Sequence, residues 1–197
     1  MSDTGAAAPG GGSLAGRPVA GEEVLSRAKA CETAAFGLLV RQHQPTVFSL
    51  ALRMLSDRHK AEDLAQEVFL QLHRNLASIT SMAHLGFWLR KVTVNRAIDR
   101  LRREPKIAAV PLEEADGLAG EGSDPDPLLA RRLRTLVGQL APAPRAVLLL
   151  RYQEDMDPTQ IAKALSMSIN TVKSHLKRSL AQLREQLDQP AKALGKS

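Results

Sequence analysis

Between residues 61 and 72 an apolar set falls at Ala61, Leu64, Ala65, Val68, Phe69 and Leu72. Steps of three and four residues put all of them on one face of an α-helix; a half-buried strand would alternate instead. The same spacing recurs along the chain, in Phe36, Leu39 and Val40, in Val47, Leu50, Leu52 and Leu55, and in Leu89, Val92, Val94, Ile98 and Leu101. It returns in Leu133, Leu136 and Leu140, in Val147–Leu150, in Ile161 and Leu165, and in Val172, Leu176, Leu180, Leu183 and Leu187. With only 3% aromatic residues, the core has to be built from Leu, Val, Ile and Ala, a composition that favours helices over sheets. The expected fold class is all-α.

Punctuation divides these helices. Pro45 is read as opening a second helix after one that starts near Thr33, and Ser56-Asp57 as the break that caps a third, about 59–75. Small polar residues at 76–84 suggest a loop, and a fourth helix is expected from about Gly86 to Arg103, stopped by Pro105 and Pro111. Residues 1–30, rich in Gly and Ala, read as a flexible tail with a helical tendency near Glu22–Lys29. Residues 31–106 then make a four-helix unit and 128–188 a second helical domain. Between them, 107–127 carries Glu113, Glu114, Asp116, Glu121, Asp124 and Asp126 without a single cation, the mark of an acidic flexible linker. A polar tail, 189–197, follows.

Net charge is +6, which suggests an anionic partner. Cys31 is the only cysteine, so neither an intrachain disulfide nor a cysteine-rich zinc site can form. No apolar run approaches a membrane span, and the start of the chain lacks the basic-then-apolar order of a secretory signal. A cytoplasmic protein without membrane insertion is expected.

Two stretches carry chemistry. Pro158–Leu165, Ser166–Ser168 and Ile169–Arg178 have the lengths of a helix-turn-helix, with Ile161, Leu165, Met167, Ile169, Val172 and Leu176 as the wedge between helices. Ser168, Asn170, Thr171, Lys173, Ser174, Lys177 and Arg178 then project from the second helix, short polar groups towards base edges and cations towards phosphates. Ser166 stands where the turn favours Gly. Upstream, Arg90, Lys91, Arg96, Arg100, Arg102 and Arg103 form a basic stripe against Asp99 and Glu104, suited to a phosphate backbone. Trp88 at its start can stack on an exposed base or sit in the bundle core, and Asn95 has an amide able to read a base edge. On the preceding helix Asp63 and Glu67 lie four apart with Gln66 beside them, an acidic docking face.

In this order the motifs resemble a bacterial RNA polymerase sigma factor of the extracytoplasmic-function (ECF) group. Glu62–Phe69 is similar to that family's core-polymerase-binding segment, Trp88–Arg103 to its promoter-opening helix, and Leu140–Tyr152 with the helix-turn-helix to its upstream-element reader. The resemblance spans about residues 33–187. It implies a sigma region 2 type domain at 31–106 and a region 4 type domain at 128–188. Asp63, Leu64, Gln66, Glu67 and Phe69 would bind core polymerase, with Leu64 and Phe69 either in the contact or in the core beneath it. Ser78, Thr80, Ser81, His84, Trp88, Arg90, Lys91, Asn95, Arg96, Asp99, Arg102 and Arg103 would recognise and melt the −10 element. The loop 77–85 would capture a flipped base, repaying its unstacking. Ser168, Asn170, Thr171, Lys173, Ser174, Lys177 and Arg178 would read the −35 element. Implied partners are core RNA polymerase (clamp and flap), promoter DNA and an anti-sigma factor. The linker would thread the basic active-site cleft and RNA-exit path. No cofactor is implied, since nucleotide addition and its metal ions belong to the polymerase.

Two other classes compete with this reading. A helical metallohydrolase would use His59, Asp63 and Glu67, with His43 or His73 recruited, but one side of one helix supplies few ligands and no second motif appears. A duplex-binding repressor or activator would share the helix-turn-helix and has no need of the acidic docking helix or the basic helix with its Trp.

Overall fold

The computed structural model describes residues 20–103 and 126–188. Among these residues there are eight α-helices, one 3-10 turn and no strand: α1 Ala20–Lys29, α2 Thr33–Leu55, α3 Arg58–Asn75, the turn Leu76–Ser78, α4 Met82–Arg103, α5 Pro127–Gln139, α6 Pro142–Tyr152, α7 Pro158–Leu165 and α8 Ile169–Asp188. The expected linker lies outside the described residues except for Asp126 and Pro127, which cap and open α5; both tails, 1–19 and 189–197, also lie outside them.

α2 is the central helix, packed against α1, α3, α4, α5 and α6. Pro45 lies inside it rather than at a helix start. An interior proline removes one backbone hydrogen bond. Here Pro45 is exposed, while Leu39, Val47, Leu50 and Met54 continue the buried face on both sides of it. Full burial of each such side chain contributes about 1.5–3 kcal/mol, enough together to hold the two halves in line. Ser56, in the left-handed region at φ 56°, ends α2, and the Asp57 carboxylate accepts from Lys60 N–H to start α3.

α1 occupies part of the stretch expected as a tail. Leu25 and Ala28 are buried, so residues 20–29 belong to the first helical unit. α4 begins at Met82, four residues ahead of expectation. The Ser81 hydroxyl accepts from His84 N–H, an N-cap, and Glu22 of α1 accepts from Met82 N–H at 2.8 Å. Leu76 and Ile79, read as loop residues, are buried and anchor the turn before it.

In the second unit, Asp157 and Gln160 form a capping box at the start of α7, and Ser166 adopts φ 53° in the turn to α8. Leu140, Leu148 and Leu183 make a small core of their own. The larger core runs without a break from Leu25 and Leu39 of the first unit to Val147, Ile161 and Val172 of the second. The two helical units are therefore packed against each other, chiefly α6 and α7 on α4 and α6 on α2. None of the described helices is long and apolar enough to cross a membrane.

Candidate nucleic-acid and polymerase interfaces

The α3 face resolves into two strips. Leu64 and Phe69, expected as candidates for a contact, are core residues at 0% and 8% exposure. Asp63 and Gln66 are exposed, and so is Leu70, which is 59% exposed. Leu70 follows Asp63 by seven and Gln66 by four, hence shares their strip. Sequence reasoning missed it because the apolar pattern of α3 is satisfied without it; an apolar residue left over from that pattern was the available signal. Glu67 points to the neighbouring strip, with one carboxylate oxygen 3.1 Å from Arg96 and the other 2.7 Å from Arg100.

Around α4 the expected −10 residues have three different situations. Lys91, Asp99, Arg102 and Arg103 are exposed. Lys91, Asp99 and Arg103, with Asn95, Arg96 and Arg100, border a groove of about 600 Å3, which Glu67 and Gln71 close on the α3 side; Arg102 lies off its wall. Trp88 is half-buried and packs against the core. Thr80, Ser81 and His84 are occupied locally: the Thr80 N–H donates to His84 Nδ1 at 3.1 Å while Ser81 caps the helix. Ser78 donates to the Asn75 carbonyl. Through these local hydrogen bonds the four groups build the entry to α4.

Arg90 and Asn95 face the second unit. Arg90 Nε is 2.6 Å from Glu154, whose side chain is only 9% exposed, and the Asn95 amide donates to the carbonyl of Ala164 in α7 at 2.9 Å. Lys163 lies over the Phe87 ring at 5.7 Å. Arg145, 7% exposed, donates across the contact to the Met54 carbonyl and back to that of Leu140. Burial holds its guanidinium below the ordinary arginine value. Beside this contact His43, Thr46, Leu89 and Arg90 line a cavity of about 50 Å3. Burial first, and the Arg90 charge second, push the His43 imidazole below its usual value of 6.5.

α8 keeps its outer face open. Ser168, Asn170, Thr171, Lys173, Ser174, Lys177 and Arg178 are all exposed, and Ser168 caps the helix by accepting from Thr171 N–H at 3.0 Å. Val172 is fully buried against α7, as a helix-turn-helix wedge requires, whereas Ile169 stays 41% exposed. The metal-ligand set fares differently. Among the described residues no three His, Cys, Asp or Glu side chains come together, and Glu67 is taken by arginines.

Sigma-70 region 2 matches residues 39–106 and Sigma-70, region 4 matches residues 130–183. The RNA polymerase sigma-E factor of Streptomyces coelicolor is 32% identical over 166 residues, 83% of this chain and 93% of that one. The ECF RNA polymerase sigma factor SigE of Mycolicibacterium smegmatis is 32% identical over 155 residues, 76% of this chain; the aligned part spans 60% of that longer protein. Among solved structures, CnrH in complex with the cytosolic domain of CnrY shares the fold, with a TM-score of 0.62 at 20% identity over 86% of this chain and 98% of that one. With both regions matched in order on the helices that present them, the chain belongs to the ECF group of RNA polymerase sigma factors.

Proposed function

We propose that this chain is the promoter-specificity subunit of an RNA polymerase, working in the cytoplasm and performing no chemistry of its own. Asp63, Gln66 and Leu70 dock on the polymerase clamp: two polar groups set the register, and Leu70 supplies an apolar anchor that water leaves on contact. Lys91, Asn95, Arg96, Arg102 and Arg103 hold the −10 strand, with Trp88 stacking at its upstream edge once DNA is opened. Ser168, Asn170, Thr171 and Ser174 read the −35 element in the major groove, and Lys173, Lys177 and Arg178 bind its phosphates. Core polymerase, promoter DNA and an anti-sigma protein are the partners in this reading.

One observation carries it. A helix-turn-helix with an unobstructed basic face and a basic groove helix lie on one chain in sigma-70 order. A repressor of duplex DNA would need only the first of these.

The packed arrangement adds a requirement. Elements at −35 and −10 lie about 25 base pairs apart, roughly 85 Å of duplex at 3.4 Å per pair. α7 is within hydrogen-bond distance of α4, so the two units must part before both elements are held. Fully extended, the stretch from 104 to 125 reaches about 75 Å, which together with the units themselves suffices.

Run-off transcription by core polymerase on a pool of promoter fragments from the source genome, with and without the protein, tests the reading. Transcripts that depend on the protein and vanish with the double variant Asp63→Lys, Leu70→Asp support it. Tight duplex binding without polymerase, and no transcript, would move the assignment to a repressor.

A further inference from the structure

Both carboxylate oxygens of Glu67 are engaged inside the molecule, Oε1 with Arg100 Nη2 at 2.7 Å and Oε2 with Arg96 Nη1 at 3.1 Å. One turn further along α3, Gln71 Oε1 accepts from Arg96 Nε at 2.8 Å; two turns back, the Lys60 carbonyl accepts from Arg100 Nη1 at 3.1 Å. Positions 60, 67 and 71 are seven and four apart, a strip of α3 that faces α4. Asp63, Gln66 and Leu70 lie on the adjoining strip, away from the arginines.

We infer that Glu67 and Gln71 are positioning residues for promoter DNA: they bracket Arg96 and Arg100 on the wall of the groove, and Glu67 is not a polymerase-docking group. This rests on the sigma reading above and assigns a different task to one residue of its docking motif. A guanidinium has five N–H donors in a planar fork. In Arg96 the bracket uses Nε–H and one Nη1 hydrogen, which leaves both Nη2 hydrogens and the second on Nη1 for a ligand; in Arg100 it uses one hydrogen of each Nη and leaves Nε–H and the other two. Each fork is thereby held in one orientation before DNA arrives. Fixed donors at four-residue spacing on α4 suit the non-bridging oxygens of a single DNA strand. A carboxylate beside two arginines also lowers the net attraction for phosphate in general, so the gain lies in geometry rather than in charge. In the same groove Lys91 and Arg103 remain exposed and carry the less directed part of the attraction.

Three measurements on full-length protein separate the tasks: affinity for core polymerase by fluorescence titration, promoter opening by permanganate reactivity at saturating core, and the salt dependence of holoenzyme binding to a single-stranded −10 oligonucleotide. For Glu67→Gln, core affinity within about twofold of wild type is expected, with opening about tenfold lower. Its salt slope should be steeper by roughly 0.7, since a cation is released from its internal partner. Glu67→Asp keeps the charge and shortens the reach; it should lose opening with an unchanged slope. Asp63→Lys should lose core affinity instead. Glu67→Gln losing core affinity tenfold while its saturated holoenzyme opens DNA normally would return Glu67 to docking and overturn the inference. Glu67→Asp opening DNA like wild type would overturn it too, leaving only a charge effect. If wild-type protein binds no core polymerase, the sigma reading itself fails and takes the inference with it.

Discussion

Arg145 of α6 donates a hydrogen bond to the carbonyl oxygen of Met54 at 2.5 Å, tying the second helical unit to the end of α2 in the first. The last carbonyls of a helix lack intrahelical partners and carry the negative end of its dipole, so a buried guanidinium suits them. The bond is a latch between the units.

Arg145→Met keeps much of the side-chain volume and removes the donors. Leaving buried carbonyls unpaired costs about 1–3 kcal/mol, and most of that is recovered by separating the units so that water reaches them. A larger radius of gyration in small-angle scattering is therefore expected, with helix content by circular dichroism unchanged. Glu154→Gln, which weakens the pair with Arg90, should act in the same direction and more weakly.

pH acts through His43. Its folded-state value is depressed by burial and by Arg90, so below about 6.5 the unfolded chain takes a proton that the folded chain resists. Stability should be fully present above 6.5 and decline as pH falls below it towards the depressed value. Denaturation midpoints at pH 7.5 and 5.5 check this, and the His43 contribution should disappear in His43→Gln.

Ser166 holds φ 53° and ψ 46° in the helix-turn-helix turn. A Cβ in this region costs about 1–2 kcal/mol, so Ser166→Gly should stabilise by about 1 kcal/mol after glycine's greater unfolded-state entropy is subtracted. For a chain of this size that raises Tm by about 2–4 °C, readable by calorimetry.

On α8 the cations and the small polar groups should separate in their effects. Lys173→Ala and Lys177→Ala should each weaken duplex binding evenly across sequences and reduce the salt slope by about 0.9. Asn170→Ala should alter the preferred base at one position with little change in slope. A randomised −35 library read at several salt concentrations distinguishes the two.

Much of this architecture was legible in the residues. Helical spacing gave the buried faces of α3, α4 and α8, because burial and periodicity are the same property seen twice. Proline misled at position 45, where its local cost is outweighed by a buried face that continues on both sides. Early residues of α4 were missed because Ser81, His84 and the remote Glu22 form its cap, and a partner sixty positions away leaves no local pattern. The site shows the same division. An exposed basic face on α8 follows from spacing alone, whereas the inward turn of Glu67 and the pairing of Asn95 with the Ala164 carbonyl depend on which helix lies opposite.

Closure between α4, α6 and α7 joins two parts of one chain, so protein concentration does not set its strength. Covalently joined units meet at an effective concentration set by the length of chain between them, in the millimolar range where that chain is short and flexible. On the sigma reading, both promoter elements are held only by molecules that have parted; if one in ten has done so, the apparent promoter affinity falls about tenfold. The promoter affinity of this factor is thus set partly by the length of chain between its units, and insertions or deletions between 104 and 125 would retune it without touching a single contact residue.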